Sequence, residues 1–345
     1  RIPESYVSES LVITFVGYRT VTRSISTIPQ DSVIEVILAP TVRELNEIVI
    51  SANHKSVVEE AIEKIPENYD LEAMLLTGFY RAQIDNRDLP IQLSETALEI
   101  FRIPEKKTTE MKVRILKSRV SRDTITFNKL FNVQAGIGPK ALIQGSFLTE
   151  NRIIGRKFLK THSFKITDIT TFDTYDVYVV EFDTDAKTGY RGTMFIDTKT
   201  LAFIRISYQY SDKQVENPRL FPGTNVASRL VGLSNSYWNN IHTELNFHEL
   251  NGKWYIRHIQ YNAGWTLVSG RNKLEEPMTY HADFVITDVK KDDLNVPNKK
   301  DFANNKIIEN QLTPYSKDFW AGYNYLLPDQ NFDELFNEIS KQNSN

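Results

Sequence analysis

Residues 178–210 have the sequence YVVEFDTDAKTGYRGTMFIDTKTLAFIRISYQY, in which apolar and polar side chains alternate along three segments. A turn ending at Gly189 separates the first two segments, and residues 197–200 form a second turn. Alternate residues of a strand point to opposite sides of its sheet, so the pattern predicts an antiparallel meander with one apolar face. The residues predicted on that face are Tyr178, Val180, Phe182, Met194, Ile196, Ala202, Ile204, Ile206, Tyr208 and Tyr210.

The same alternation continues, interrupted by turns, over residues 75–289. Asn251 and Gly252 stand between two alternating segments and indicate a tight hairpin, because both turn positions need positive φ. We therefore predict a mostly β protein dominated by one large, curved antiparallel sheet with a few helices. An incomplete barrel is one form that such a sheet can take.

A helix is predicted over residues 56–65. Ser56 and Glu59 have the spacing of a capping box, in which a hydroxyl and a carboxylate bond the free amides at a helix start. Pro66 is expected to end the helix. Its apolar side is expected to cover part of the sheet and consists of Val57, Val58, Ala61, Ile62 and Ile65. Residues 139–144 and 332–339 are predicted to form two further helices.

The first forty residues contain two predicted strands, a buried one over residues 11–16 and a second over residues 33–38. Two strands cannot form a stable domain, so this piece is either the tail of a sandwich or an appendage to the rest, and we expect an incomplete sandwich that packs against something else. The predicted organisation is a sandwich fragment at 1–40, an extended linker at 41–55, the curved-sheet domain at 56–300 and a tail with a short helix at 301–345.

The net charge of −3 and the absence of cysteine exclude several kinds of site. Nucleic-acid binding needs a concentrated basic face, so we predict no nucleic-acid partner. The densest basic stretch is interpreted as one solvated strand face and consists of Arg114, Lys117, Arg119 and Arg122. Without cysteine there is no disulfide, no thiol chemistry and no cysteine-based metal site. The longest apolar run, residues 11–16, is too short to span a membrane as a helix.

The histidines do not form a recognisable catalytic or metal-binding motif. A metalloprotease helix that began at His248 would need a second histidine where Gly252 stands. His248 and His258 flank the predicted hairpin and could approach each other across it, but two histidines make a weak metal site. The sequence also lacks a phosphate-binding loop and a nucleophile elbow. We predict no catalytic residues, no metal and no cofactor.

Three segments near the start, LVITFVGYRT (residues 11–20), EVIL (35–38) and ELNEIVISA (44–52), carry a family resemblance. They resemble the closing half of the carboxypeptidase regulatory-like domain of Bacteroidota, and the resemblance covers residues 1–52. It implies a small seven-stranded, transthyretin-like sandwich without catalysis, whose first strands are expected to precede this chain.

The rest of the chain resembles a second group of proteins. AIEKIPENY (residues 61–69) and TGFYR (77–81) are similar to carboxypeptidase regulatory-like proteins with an uncharacterised β-rich C-terminal part. GTMFID (192–197) with AFIRI (202–206) also resembles the strand–turn–strand of periplasmic lipoprotein carriers of the LolA type. This resemblance implies a curved sheet with helices on its concave side.

These resemblances imply a periplasmic protein associated with the outer membrane, which acts without catalysis as an accessory or scaffold and docks on an envelope protein complex. The alternative is a carrier that binds a lipid or a lipoprotein acyl chain on a concave apolar face. A peptidase is a third alternative, suggested only by the name of the N-terminal domain. The predicted binding segment is a strand that pairs with a partner or a sheet edge through Leu45, Asn46, Glu47, Ile48, Val49 and Ile50.

Overall fold

The computed structural model describes residues 7–13, 18–29, 34–40, 54–104, 109–123, 139, 142–143, 148, 154–216, 235–269, 274–292, 294 and 319–320. No helix in these ranges is long and apolar enough to cross a membrane. The predicted helix at 332–339 lies outside the described residues.

The N-terminal part contains a two-stranded antiparallel sheet of β1 (Ser10–Ile13) and β2 (Val21–Ser24). The predicted burial of β1 is wrong, because Val12 is 53% exposed. The predicted strand at 33–38 is also wrong where it is described, since residues 34–40 contain no strand and Ile37 is 86% exposed. β1 pairs with β2, a segment close to it in sequence, and this pairing closes only a short loop.

Ten strands form the large sheet, and together with β1 and β2 they make this a mostly β protein. In chain order they are β3 (Met74–Asn86), β4 (Leu89–Pro104), β5 (Thr109–Arg122), β6 (Ser163–Phe172), β7 (Tyr175–Asp183), β8 (Tyr190–Asp197), β9 (Phe203–Tyr210), β10 (Asn235–Leu250), β11 (Lys253–Ser269) and β12 (Leu274–Lys290). Their spatial order is β5-β4-β3-β12-β11-β10-β9-β8-β7-β6, with antiparallel neighbours throughout. The predicted curved antiparallel sheet is confirmed, and it is open because β5 and β6 form its two ends.

Two meanders build this sheet, β3 to β5 and β6 to β12, and the pairing of β3 with β12 joins them. The predicted hairpin between β10 and β11 is confirmed, with Asn251 at φ 53° and Gly252 at φ 78°. Thr20, next to β2, donates a hydrogen bond of 3.2 Å to the carboxylate of Asp173 in the β6–β7 turn.

The two sides of the sheet differ in character, and we name them the apolar face and the polar face. Along β3, the apolar face carries Met74, Leu76, Tyr80, Ala82 and Ile84, all buried, while Arg81, Gln83 and Asp85 lie on the polar face. The apolar side predicted for the β7–β9 meander is confirmed. Of its ten residues, Tyr178, Tyr208 and Tyr210 are half-buried and the others are buried.

Four helices are described: α1 (His54–Glu63), α2 (Ile65–Asn68), α3 (Arg156–Thr161) and α4 (Asp212–Glu216). The predicted apolar side of α1 and α2 packs into the core, and α1 contacts β6. The capping box is wrong, because α1 begins at His54 and Ser56 therefore lies inside its first turn. Pro66 does not end a helix either; it lies in the first turn of α2, where proline fits. Within 139–144, Pro139, Leu142 and Ile143 are helical and the other residues lie outside the described ranges.

Candidate functional site

Six tyrosines from five strands gather on the apolar face, and we call them the tyrosine cluster: Tyr80 on β3, Tyr190 on β8, Tyr208 and Tyr210 on β9, Tyr261 on β11 and Tyr280 on β12. The hydroxyls of Tyr80 and Tyr280 share a hydrogen bond. The ring centroids of Tyr261 and Tyr280 are 6.1 Å apart. Those of Tyr190 and Tyr208 are 5.4 Å apart, and those of Tyr190 and Tyr210 are 5.8 Å apart. The register of these five strands, and of β10 between β9 and β11, thus concentrates hydroxyl groups inside an otherwise apolar surface.

The phenols of this cluster are held in their neutral form. Burial raises the pKa of Tyr261, and the nearby hydroxyls of Tyr210, Tyr208, Tyr280 and Tyr190 raise it further. Burial also raises the pKa of Tyr208, against the opposing effect of the nearby Thr243 hydroxyl. A neutral phenol can both donate and accept a hydrogen bond, so the cluster offers polar contacts without charge.

Short side chains stand beside the phenols. Tyr261 pairs across the sheet with Thr243 and Ala282, and Tyr280 pairs with Ala263. Exposure changes along the cluster: Tyr80, Tyr261 and Tyr280 are buried, whereas the three tyrosines of β8 and β9 are half-buried. The cluster therefore reaches solvent on the β8–β9 side.

Thr96 adds a further polar group to this region. Its side chain lies opposite Tyr80 on the apolar face and is 0% exposed. Within the described part of the chain, its hydroxyl oxygen has no hydrogen-bond partner. Buried hydroxyls are usually paired, so the lack of a partner at Thr96 is an exception that needs an explanation.

A carboxylate with three donors lies near the β10–β11 hairpin. Asp70 accepts hydrogen bonds from the Tyr255 hydroxyl at 2.8 Å, the Lys291 ammonium at 2.5 Å and the Glu72 amide at 3.0 Å. Burial alone would raise the pKa of Asp70, but the contacts with Lys291, Tyr255 and Glu72 outweigh it and lower the pKa. This carboxylate is therefore ionised at neutral pH.

An apolar pocket beside Asp70 encloses about 20 Å³ and is lined by Ile65, Tyr69, Leu71, Met74, Leu76, Leu148, Phe247, Trp254, Tyr255 and Ile256. That volume holds roughly one water molecule and is too small for an acyl chain.

Replacing Asp70 by asparagine is expected to destabilise the fold at neutral pH and to have little effect in strong acid. The folded-state pKa of Asp70 lies below its unfolded value, which is about 3.9. Its stabilising contribution is therefore present above the unfolded pKa and is lost as pH falls through the folded pKa. Urea unfolding of both proteins from acid to neutral pH measures this difference. Asp185→Asn, at a fully exposed carboxylate, is the control. A difference that did not vary with pH would contradict this account.

The polar face carries a buried network of ions over β3, β4 and β5. The carboxylate of Glu95, 0% exposed, accepts hydrogen bonds from Arg81 on one oxygen and from Arg119 on the other. The Arg119 guanidinium lies 4.7 Å from the ring centre of Trp320, which also packs edge-on against Phe79. Trp320 is thereby anchored on this face.

The interpretation of the basic stretch as one solvated strand face is therefore wrong. Arg119 is only 10% exposed, Arg114 pairs with Glu99, and Arg122 lies on the opposite side of β5, where it donates to Gln92 at 2.8 Å. A bulge in the β4–β5 register, next to Lys117, shifts the alternation of the strand.

An open groove of about 460 Å³ crosses β6 to β10 on the polar face. The side chains that line it include two carboxylates, two cations and the half-buried, hydrogen-bonded pair of Ser207 and His242, whose Oγ and Nε2 atoms are 3.0 Å apart. No third group is seen to orient His242 among the described residues.

The histidines that flank the hairpin do not pair with each other. His248 lies opposite Tyr255, and His258 lies opposite Asn246 and contacts Asp283 at 2.9 Å. Over the described ranges, no three histidines or carboxylates are arranged to hold a metal ion.

The predicted binding strand at residues 45–50 lies outside the described residues, so it stays a prediction. Helix α1 begins four residues after Ile50 and contacts β6, which is an end strand of the sheet. The tyrosine cluster was not predicted as a site, although the alternation had placed Tyr208 and Tyr210 on the apolar face.

No protein-family model and no curated protein matches the chain. Similar solved structures include an outer membrane lipoprotein-sorting protein domain from Vibrio parahaemolyticus, with 12% identity and a TM-score of 0.32 over 72% of this chain and 97% of that one. A LolA-superfamily protein from Nitrosomonas europaea has 12% identity and a TM-score of 0.25 over 71% and 96%. MucB in its complex with MucA from Pseudomonas aeruginosa has 8% identity and a TM-score of 0.23 over 67% and 93%. TM-scores this low carry no argument about fold or function, so both family resemblances stay predictions.

Proposed function

We propose that this chain is a non-catalytic carrier of the bacterial envelope, which holds the acyl part of a lipid or lipoprotein against the apolar face of its sheet. The tyrosine cluster carries this proposal. Ligand sites have mostly apolar walls with a few convergent polar groups, and the cluster provides that combination. A core filled only for stability would gain more from apolar side chains at these positions, because buried polar groups contribute only when they are paired.

Two features of the apolar face support this proposal. The short side chains of Ala82, Ala263 and Ala282 lie on the apolar face between the phenols. The unpaired hydroxyl of Thr96 and the half-buried tyrosines of β8 and β9 offer hydrogen bonds to a ligand that enters from that side. The periplasmic, outer-membrane setting rests on the sequence resemblance and is part of the proposal.

A fluorescent acyl probe tests the proposal on the purified chain. Leucine at Ala263 would occupy the space beside Tyr280 on the apolar face of β11, and we expect it to weaken probe binding at least about tenfold. Gln260→Leu, on the polar face of the same strand, is the matched control and should bind the probe as the original chain does.

Thermal unfolding of both variants separates loss of the site from loss of the fold. Overpacking a filled core lowers stability by about 1–3 kcal/mol. An Ala263→Leu protein that is destabilised to that extent and binds the probe unchanged would exclude the tyrosine cluster as the acyl site, and an original chain that does not bind the probe would exclude the carrier function.

A second candidate is a scaffold that docks on an envelope protein complex through residues 45–50. The observation that favours it is the position of α1, because this helix follows the segment closely and contacts the end strand β6. A segment that adds to a sheet edge gains main-chain hydrogen bonds and side-chain specificity. Affinity capture from native membranes, with the full chain and with Ile48 and Ile50 changed to proline, tests it. Partners captured equally by both proteins would exclude docking through this segment.

A further inference from the structure

On the basis of the proposed carrier function, we propose that the tyrosine cluster selects ligands by charge: acyl chains linked as neutral esters or amides bind, and the ionised carboxylate of a free fatty acid is rejected.

The first part of the argument is the hydrogen-bonding character of the cluster. Phenol and threonine hydroxyls donate to the carbonyl oxygen of an ester or amide, which is an uncharged acceptor. Tyr80, Tyr280 and Thr96 lie together on β3, β12 and β4, with the Thr96 hydroxyl still unpaired. A carbonyl placed there completes the hydrogen bonding of a buried group and brings no charge into the apolar face.

The second part is the position of the charges. Residues that pair across neighbouring strands form rows on the apolar face. In the described rows that contain the tyrosines, no charged residue lies on β3 or on β8 to β12. The residues beside the phenols there are Ala82, Ile84, Gly192, Ile241, Thr243, Ala263, Ala282 and Phe284. The cation in the row of Tyr280 is Arg122 on β5, three strands away, or about 14 Å at the usual strand spacing. Its guanidinium already donates to Gln92.

The remaining titratable groups near this face do not offer a counter-ion. Asp70 and Lys291 pair with each other, and Arg102 donates to the Glu72 carbonyl; all three lie at the other end of β3. His162, next to β6, has its pKa lowered by burial and is therefore neutral at physiological pH. A carboxylate bound among the phenols would be buried without a partner, and such a group takes up a proton rather than remain ionised.

Displacement of the acyl probe by the methyl ester and by the free acid of the same chain tests the selection. At pH 8 we expect the ester to bind at least about tenfold more tightly than the acid. If only the protonated acid enters, its affinity should rise about tenfold per pH unit as pH falls, over the range where it is ionised in solution. The affinity of the ester should not change with pH.

Variants identify the residues that carry the selection. Tyr280→Phe and Thr96→Val each remove one of the hydroxyls placed at the carbonyl, and each should weaken ester binding by about three- to tenfold, the usual effect of one lost hydrogen bond. Neither should alter the binding of an alkane of the same length. Tyr175→Phe is the control, because that hydroxyl bonds Glu249 in an exposed position away from the cluster.

The outcomes separate this proposal from the carrier function. If neither probe, ester nor alkane binds, the carrier function itself is wrong. If the acid and the ester bind equally at pH 8, or the hydroxyl variants leave ester binding unchanged, acyl binding stands and selection by the tyrosine cluster is wrong. Tight ester binding with pH-dependent binding of the acid supports both.

Discussion

Replacing Glu95 by glutamine is expected to lower the free energy of unfolding by about 3–5 kcal/mol, the usual effect of removing one partner from a buried ion pair. Glu95 is fully buried between Arg81 and Arg119, and each guanidinium is only 10% exposed. Glutamine keeps the volume of the side chain but removes the charge that both arginines need. Two cations would then be left facing each other without a counter-ion. Urea unfolding at neutral pH measures the change.

The exposed ion pair of Arg191 and Asp212 is the matched control for this substitution. The Asp212 side chain is 71% exposed, so Asp212→Asn should change stability by about 1 kcal/mol or less. The near-ultraviolet spectrum of Trp320, which packs on Arg119, should change in Glu95→Gln and not in the control. If Glu95→Gln lowered stability no more than Asp212→Asn does, the ion network around Glu95 would not behave as a buried one.

Replacing Phe284 by alanine should lower the free energy of unfolding by about 3–5 kcal/mol, as for other large aromatic residues removed from a core. Phe284 is 0% exposed on β12 and lies where the two meanders join, with its ring 6.5 Å from that of Tyr80. Gly78 leaves room for it: a Cβ atom there would lie 2.5 Å from the Phe284 ring. The phenylalanine therefore fills a space that the neighbouring strand keeps open.

Leu250→Ala, at a 41% exposed position beside the β10–β11 turn, is the control and should change stability by about 0.5 kcal/mol or less. Thermal and urea unfolding of both variants give the comparison. A Phe284→Ala protein as stable as the control would mean that the junction of the meanders contributes little to the core.

The parts of the fold predicted well from the sequence depend on local patterns. The alternation in β7 to β9, the Asn251–Gly252 turn and the apolar side of α1 each arise from residues close together in the chain. The prediction of a strand at 33–38 was wrong because the alternation of apolar and polar residues does not show whether a segment has a partner strand. The start of α1 was misplaced because the serine and glutamate spacing of a capping box can also occur inside a helix.

The candidate site could not be predicted in the same way, because it depends on register between distant strands. Tyr208 and Tyr261 lie on the β6–β12 meander, and Tyr80 joins them only after β3 pairs with β12. The network of Arg81, Glu95 and Arg119 likewise needs the alignment of three strands and a bulge. The alternation assigns each residue to a face, but it does not give the neighbours of that residue on the same face.

The pairing of β3 with β12 also has a consequence for the synthesis of the protein. Tyr80 and Tyr280, whose hydroxyls share a hydrogen bond between these two strands, are 200 residues apart in the chain. At about 5–20 residues per second, a ribosome needs roughly 10–40 s to make the intervening chain. Throughout that time the 13-residue strand β3 has one edge without its partner, and such an edge can pair with another nascent chain. A chain that stops before β12 keeps this edge open permanently and is a template for aggregation.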